Sequence, residues 1–139
     1  MDELNNCNNV EKELLKNALE ARKHSHSPYS KFKVGASILT TDDEIFSGCN
    51  VENCSYGATI CAERTAILKA VSERGTIKIK KVLVVTEPQA VPCGMCLQVI
   101  TEFATKDCEV LLCDTKDIHL KMKLTEFLPH PFDPDSLPE

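Results

Sequence analysis

The segment 79–86 limits the choice of fold more than any other part of the chain. It contains four consecutive aliphatic residues, Val82-Leu83-Val84-Val85. Such a run is typical of a strand that is covered on both faces, since a strand with one face in water alternates apolar and polar residues. Helical periodicity precedes it over 61–73 and follows it over about 94–104. The order predicts an α/β fold with helices on both faces of a mixed sheet.

Further patterns complete this prediction. The other predicted elements are a helix over 9–23, a hairpin of strands over 32–40 and 45–49, and strands over 109–114 and 118–124. The tail from residue 128 carries four of the seven prolines, so we expect it to be extended. A chain of 139 residues fits one domain, which we expect to span 1–139. The predicted architecture is a three-layer α-β-α sandwich around a mixed five-stranded sheet.

The charge balance argues against some classes of partner. Lys and Arg number 16 against 21 Asp and Glu, which gives a net charge of -5. A protein that grips nucleic-acid phosphates needs a basic surface, so we expect no nucleic-acid partner. No apolar run approaches the roughly 18 residues of a membrane span, and we expect no membrane partner. Residues 1–6 are acidic and polar, unlike a secretory signal, so we expect a cytoplasmic protein.

The cysteines indicate metal or thiol chemistry. The chain contains eight cysteines. Because we expect a cytoplasmic protein, these cysteines would lie in a reducing compartment, where disulfides do not persist. Cys93 and Cys96, one helical turn apart at a predicted helix start, can converge on one ion, and Cys61 supplies a third sulfur from the neighbouring helix start. Three protein ligands with an open fourth position are typical of catalytic zinc. Glu63 lies two residues after Cys61, where its carboxylate can reach a water at the open position.

Four blocks of sequence, in order, resemble the small homotetrameric zinc-dependent cytidine deaminases. The blocks are SPYSKFKVGA at 27–36, GCNVEN at 48–53, YGATICAERTA at 56–66 and PCGMCLQVI at 92–100. The resemblance covers nearly the whole chain. It implies a cytidine deaminase-like fold, one Zn²⁺ per subunit, and hydrolysis of free cytidine and deoxycytidine to uridine and deoxyuridine plus ammonia, as in pyrimidine salvage. Glu63 would then act as base and as acid.

The resemblance also implies roles for residues around the metal. The positions that match Asn50 and Glu52 hold the ribose 3'-hydroxyl in the family, and the position of Phe32 packs on the base. The backbone around Ala62 and the carbonyl near Val91 read the pyrimidine edge.

Three further roles concern the metal ligands and the assembly. Tyr56 and Phe132 match positions that reach into a neighbouring subunit's site, which implies a homotetramer with shared sites. Arg64 is our candidate for hydrogen-bonding the thiolates and offsetting their charge.

The segment 91–98 around Cys93 and Cys96, which we call the second zinc block, departs from the family's usual pattern. Val91, Met95 and Leu97 stand where Ser, Ala and Arg are usual. The metal ligands are kept, but a cation near the helix start is lost and the site is more apolar. We expect these changes to affect thiolate tuning and the range of substrates more than the reaction itself.

Other interpretations of these residues stay open at this point. Cys93 and Cys96 can form a redox pair, and Cys49 or Cys54 can close a structural zinc. Asn50 and Glu52 can stabilise loops, and Tyr56 and Phe132 can pack within their own subunit. Arg64 can form a surface ion pair of little worth. A blasticidin-type deaminase, another nucleoside-analogue deaminase and a non-catalytic zinc-stabilised binding module remain as alternative functions.

Overall fold

The structure is a computed structural model that describes residues 8–138. Its strands are β1 (Gly35–Thr40), β2 (Ile45–Cys49), β3 (Ile79–Val85), β4 (Ala104–Cys113) and β5 (Ile118–Lys123). Its α-helices are α1 (Asn9–Arg22), α2 (Ala62–Arg74), α3 (Gly94–Phe103) and α4 (Leu124–Phe127). Single turns of 3-10 helix lie at Tyr56–Ala58 and Pro134–Ser136. No helix within 8–138 combines the length and the apolar character needed to cross a membrane.

The five strands form one mixed sheet in the order β2-β1-β3-β4-β5. β3 and β4 run parallel, with Val82 opposite Val110 and Val84 opposite Leu112, and every other neighbouring pair is antiparallel. The parallel pair requires a crossover, which α3 provides between the two strands. The mixed five-stranded sheet predicted from the sequence is confirmed.

The two faces of the sheet carry separate apolar cores, as the aliphatic run over β3 predicted. Leu83 and Val85 face α1, where they pack with Leu14 and Ala18. Val82 and Val84 point to the opposite face and belong to the core formed with α2 and α3. Successive side chains of a strand point to opposite faces, so only a continuous apolar run can serve both cores. The three-layer arrangement is confirmed.

Local signals fix the start of α1 and the end of α2. The side chain of Asn8 accepts a hydrogen bond from the backbone N–H of Glu11 at 2.8 Å and caps α1. Gly75, with φ of 79°, ends α2 in a conformation that glycine adopts without a steric penalty.

The predicted start of β1 at Phe32 is wrong, because the strand begins at Gly35. The backbone from Phe32 to Val34 is bound mostly by side chains, although the Val34 carbonyl accepts from the Asn50 backbone N–H at 3.2 Å. The Asn50 amide donates to the Phe32 carbonyl at 2.8 Å and accepts from the Val34 N–H at 3.0 Å. Arg22 Nε donates to the Lys33 carbonyl at 3.2 Å. Alternation of residue types cannot reveal this kind of bonding.

Two further boundaries differ from the sequence prediction. β4 begins at Ala104 instead of Glu109, directly after α3, and its register shifts after the pairing of Ile79 with Ala104. After β5 the chain forms the short helix α4, which the sequence reading missed. Leu124 at its start is buried in the α2 and α3 core, and that contact directs the chain back toward the domain.

A buried ion-pair network joins α1 to the sheet. The Glu11 side chain is 1% exposed and accepts hydrogen bonds from Lys81 of β3 and from Lys121 of β5, the latter at 2.8 Å. Lys81 also lies 3.2 Å from Glu109 of β4. Burial raises the pKa of Glu11, but the hydrogen bonds and charges of the two lysines outweigh this effect and leave the pKa below its ordinary value. Glu11 is therefore ionised in the folded protein at neutral pH.

We expect Glu11→Gln to lower the free energy of unfolding by roughly 2 kcal/mol at pH 7, because the two lysines lose their buried anion. The folded-state pKa of Glu11 is below the unfolded value of 4.5, so its stabilisation is complete above that value and is lost as the pH falls below it. The difference between variant and wild type, measured by urea unfolding, is therefore expected to shrink between pH 5 and pH 3. Glu13→Gln, at an exposed position of the same helix, is the control. A difference that is equal at both pH values would contradict this account.

Candidate active site

Two helix N-termini meet on the same face of the sheet, and each begins with a cysteine. Cys61 is the N-cap residue of α2 and Cys93 that of α3, both with extended backbone and without a side-chain capping hydrogen bond. The free N–H groups and the partial positive charge of a helix start favour a thiolate over a thiol. Cys96 lies one turn into α3 and is fully buried.

The three sulfurs form one cluster. The Sγ atoms of Cys61, Cys93 and Cys96 all lie within 4.8 Å of one another, and those of Cys93 and Cys96 are 3.4 Å apart. Within residues 8–138 no fourth Cys, His, Asp or Glu side chain belongs to this cluster, so neither Cys49 nor Cys54 closes it. Three thiolates with an open side fit a zinc ion of the catalytic kind, since a structural zinc is enclosed by four ligands.

The environment of the sulfurs favours ionisation at Cys61. A hydrogen bond from Cys96, followed by the hydrogen bond and charge of Arg64, lowers the pKa of Cys61 to about 5 against the opposing effect of burial. The same contact with Cys61, together with burial, raises the pKa of Cys96. Arg64 Nη2 lies 3.7 Å from Cys61 Sγ and donates to the Thr59 carbonyl at 3.2 Å. The guanidinium thus lies beside the sulfur of Cys61.

Glu63 is a buried carboxyl group close to the sulfur cluster. It is 3% exposed, in the first turn of α2. Burial raises the pKa of Glu63 to about 7, and the charge of Cys61 adds to this rise. A carboxyl group with a pKa near neutrality can both take up and release a proton at physiological pH.

A cavity of about 250 Å³ opens onto Cys61, Cys93 and Glu63. The predicted residues Phe32, Asn50, Glu52 and Ala62 line it together with Cys61, Glu63 and Cys93. The structure therefore brings most of the predicted site residues to one place. Its size suits a small molecule.

Asn50 and Glu52 also brace the segment 29–34, which forms one wall of this cavity. The Glu52 carboxylate accepts from the backbone N–H groups of Tyr29 at 3.0 Å and Ser30 at 3.2 Å, and from the Ser30 hydroxyl. Asn50 holds Phe32 and Val34 through the bonds described above. One N–H of the Asn50 amide and one of the roughly four carboxylate lone pairs of Glu52 remain available to a ligand.

Tyr56 and Phe132 lie outside the cavity. They are 75% and 60% exposed, and Tyr56 stacks edge-on against Tyr29 with ring centroids 5.9 Å apart. Phe132 is held by Gln98 of α3, whose side-chain amide donates to the Phe132 carbonyl at 2.9 Å and accepts from its N–H at 3.0 Å. Neither aromatic ring reaches the cavity of its own chain.

The sequence reading missed some residues that line the cavity. These are Ser30, Val34, Thr59, Val84, Thr86, Ala90 and Pro92. Ser30, Val34, Thr59 and Pro92 fall within the four sequence blocks. The blocks therefore indicated this part of the chain, although they did not predict that these four residues line the cavity. Nothing in the pattern distinguished Thr86 from an ordinary strand residue.

The three departures in the second zinc block occupy different surroundings. Val91 lines the cavity and is exposed at its edge, and Met95 is exposed nearby on α3. Leu97 is buried in the core formed with α2, so its side chain packs between helices. The apolar character expected at the cavity therefore comes from Val91, while Leu97 contributes to packing.

Comparisons with known proteins agree with this geometry. A family model described as the cytidine and deoxycytidylate deaminase zinc-binding region matches residues 8–112. The cytidine deaminase of Sporosarcina psychrophila is 43% identical over 130 residues, which cover 92% of this chain and 94% of the relative. That of Halalkalibacterium halodurans is 41% identical over 120 residues, covering 86% and 91%.

Solved structures give the same result. The crystal structure of cytidine deaminase from Burkholderia pseudomallei superposes with a TM-score of 0.77 at 38% identity, covering 87% of this chain and 98% of that one. The enzyme from Mycobacterium tuberculosis gives a TM-score of 0.77 at 32% identity, covering 88% and 96%. The chain therefore belongs to the cytidine and deoxycytidylate deaminase zinc-binding family.

Proposed function

We propose that this protein is a cytidine deaminase, which converts free cytidine and deoxycytidine with water to uridine and deoxyuridine, releasing ammonia. The observation that carries the proposal is the three-sulfur cluster with an open side next to a buried Glu63 in a small cavity. This arrangement supplies a metal site and a proton carrier at the same place, and both are needed for the hydrolysis of an aminopyrimidine.

Cys61, Cys93 and Cys96 would hold one Zn²⁺ per subunit. When bound, zinc acts as a Lewis acid that lowers the pKa of water from 15.7 to about 7. Arg64 offsets part of the negative charge of three thiolates through its contact with Cys61. The hydrogen bond that Arg64 Nη2 donates to the Thr59 carbonyl holds the guanidinium in place beside Cys61.

Glu63 moves the protons of the reaction. Its carboxylate accepts a proton from the attacking water and passes it to N3 of the base, while the oxygen adds to C4. It then transfers the second proton of that water to the amino group, so that the C4–N bond breaks and ammonia leaves. A pKa near 7 suits a group that must be base in one step and acid in the next.

The remaining cavity residues orient the nucleoside. Phe32 packs on the base, and the backbone at Ala62 contacts the pyrimidine edge. Asn50 and Glu52 bind the ribose 3'-hydroxyl with the amide N–H and the carboxylate lone pair that their contacts to 29–34 leave available. The same residues thus shape the wall and bind the sugar.

We also propose a homotetramer in which Tyr56 and Phe132 contribute to a neighbouring subunit's site. In support, both are large apolar side chains with most of their surface exposed, and the Gln98 contact fixes the backbone of Phe132. A cytoplasmic role in pyrimidine salvage fits a free-nucleoside substrate and a metal site that requires reduced thiols. One domain spanning 1–139 accords with α1 and the five strands sharing two continuous cores.

Turnover that depends on metal tests the proposed function. We expect purified protein to contain close to one zinc per chain and to lower the absorbance of cytidine as uridine forms. Stripping the metal with a chelator is expected to abolish turnover, and adding Zn²⁺ is expected to restore it. Protein that holds zinc and binds cytidine without releasing ammonia would be a binding module, and the proposal would fail. Activity on blasticidin S but not on cytidine would favour the other deaminase class.

We expect Glu63→Gln to lower kcat by roughly a hundredfold or more, since general acid–base catalysis contributes at least that factor. The amide keeps the shape of the side chain but cannot accept the proton. Zinc content and thermal midpoint should stay close to those of the wild type. Glu73→Gln, at an exposed position of the same helix, serves as the matched control and should retain full activity. Near-normal turnover by Glu63→Gln would remove this carboxylate from the mechanism.

Shared sites predict complementation between two defective variants. Glu63→Gln and Phe132→Ala are each expected to have low activity, because each spoils every site of its own homotetramer. In mixed tetramers some sites combine Glu63 of one chain with Phe132 of another, so refolding the two together should give activity above the sum of the separate samples. Light scattering should show four chains. An active monomer, or a mixture that gains nothing, would contradict the shared site.

A further inference from the structure

Thr86 carries a buried hydroxyl group that the mechanism above does not use. It directly follows β3, and its backbone N–H donates to the Cys113 carbonyl at 3.1 Å. The residue is 3% exposed, and its Oγ1 has no hydrogen-bond partner within the described chain. Buried hydroxyl groups in folded proteins are almost always hydrogen-bonded, because leaving one unpaired in an apolar environment is unfavourable. The Thr86 hydroxyl is therefore unusual among buried polar groups.

Thr86 lines the cavity that holds Glu63 and Ala62, so a ligand bound there can be the partner of its hydroxyl. The other cavity-lining residues of the segment 84–91, which we call the 84–91 wall, are the apolar Val84, Ala90 and Val91. The groups assigned to the sugar, Asn50 and Glu52, come from the segment after β2 and not from this wall. Thr86 thus adds a polar group to a wall of the cavity to which no sugar contact is assigned.

We propose that Thr86 is a substrate-binding residue whose hydroxyl hydrogen-bonds the pyrimidine base of the nucleoside. This inference rests on the proposed function and deepens it. A hydroxyl group has one donor and two acceptor lone pairs, and it rotates freely. It can accept a hydrogen bond from the amino group of cytosine and donate one to the carbonyl that replaces that group in uracil. Among the side chains of this wall, Thr86 alone offers both, so it suits substrate and product alike.

The inference predicts opposite effects on stability and on binding. Thr86→Val replaces the hydroxyl with a methyl group of the same shape, which removes an unpaired polar group from the free protein. The thermal midpoint of the variant should equal or exceed that of the wild type. Its affinity for uridine, measured by calorimetry, and its kcat/KM for cytidine should each fall roughly tenfold, the effect of one lost hydrogen bond. Thr86→Ser keeps the hydroxyl and should restore both.

Thr40→Val is the matched control, because Thr40 is also a buried threonine but its hydroxyl accepts a hydrogen bond from the Glu44 N–H at 3.2 Å. This variant should have a lower thermal midpoint and unchanged affinity for uridine. Zinc content should be the same in all variants.

Two outcomes would overturn the assignment. Wild-type affinity and kcat/KM in Thr86→Val would show that the base does not contact the hydroxyl. A lower thermal midpoint in Thr86→Val, without rescue of uridine affinity by Thr86→Ser, would show a structural role like that of Thr40. Failure of the proposed function has a different signature, since wild-type protein would then release no ammonia from cytidine. The uridine affinities of wild type and variant still test Thr86 in that case.

Discussion

Two helices begin on the same face of the sheet, each with a cysteine at its N-cap position, and the site depends on this meeting. The first turn of a helix has free N–H groups and a partial positive charge, and Cys61 and Cys93 each occupy the N-cap position beside such a turn. Only the packing of α2 against α3 brings the sulfurs within 4.8 Å of one another. The position of Glu63, in the first turn of α2, follows from the same packing. Any change that separates the two helices would remove metal site and proton carrier together.

The site contains several buried polar groups that lower the stability of the folded chain. Glu63 is a carboxyl group buried to 3% exposure, and burial disfavours its ionised form. The described chain contains two buried side-chain polar atoms without a partner, Arg64 Nε and Thr86 Oγ1, and both residues lie at this site. Away from the site, the buried Glu11 is fully paired with lysines. Unpaired polar groups in a binding site can form hydrogen bonds to a ligand, although leaving them unpaired lowers the stability of the folded chain.

Much of the fold and of the metal cluster could be predicted from the sequence, because the responsible signals are local. The aliphatic run over β3 predicted two covered faces, and the spacing of Cys93 and Cys96 predicted their convergence. The start of β1 could not be predicted, since Asn50 binds the backbone of 32–34 from a distant part of the chain. The helix α4 was missed because its formation depends on the burial of Leu124 in a distant core. Thr86 was missed for the same kind of reason, since a strand residue gives no sign of facing a cavity.

The sequence by itself determined the order of helices and strands, the residue types able to hold zinc, and, through four ordered blocks, the family resemblance. These depend on periodicity and on spacing along the chain, which a linear pattern records. Tertiary structure alone decided that, within residues 8–138, no fourth side chain joins the three sulfurs, and that Asn50 and Glu52 brace the wall that they also line. It also decided that Tyr56 and Phe132 point away from the cavity of their own chain. Those properties depend on distances between segments far apart in the sequence, which are set when the helices pack on the sheet.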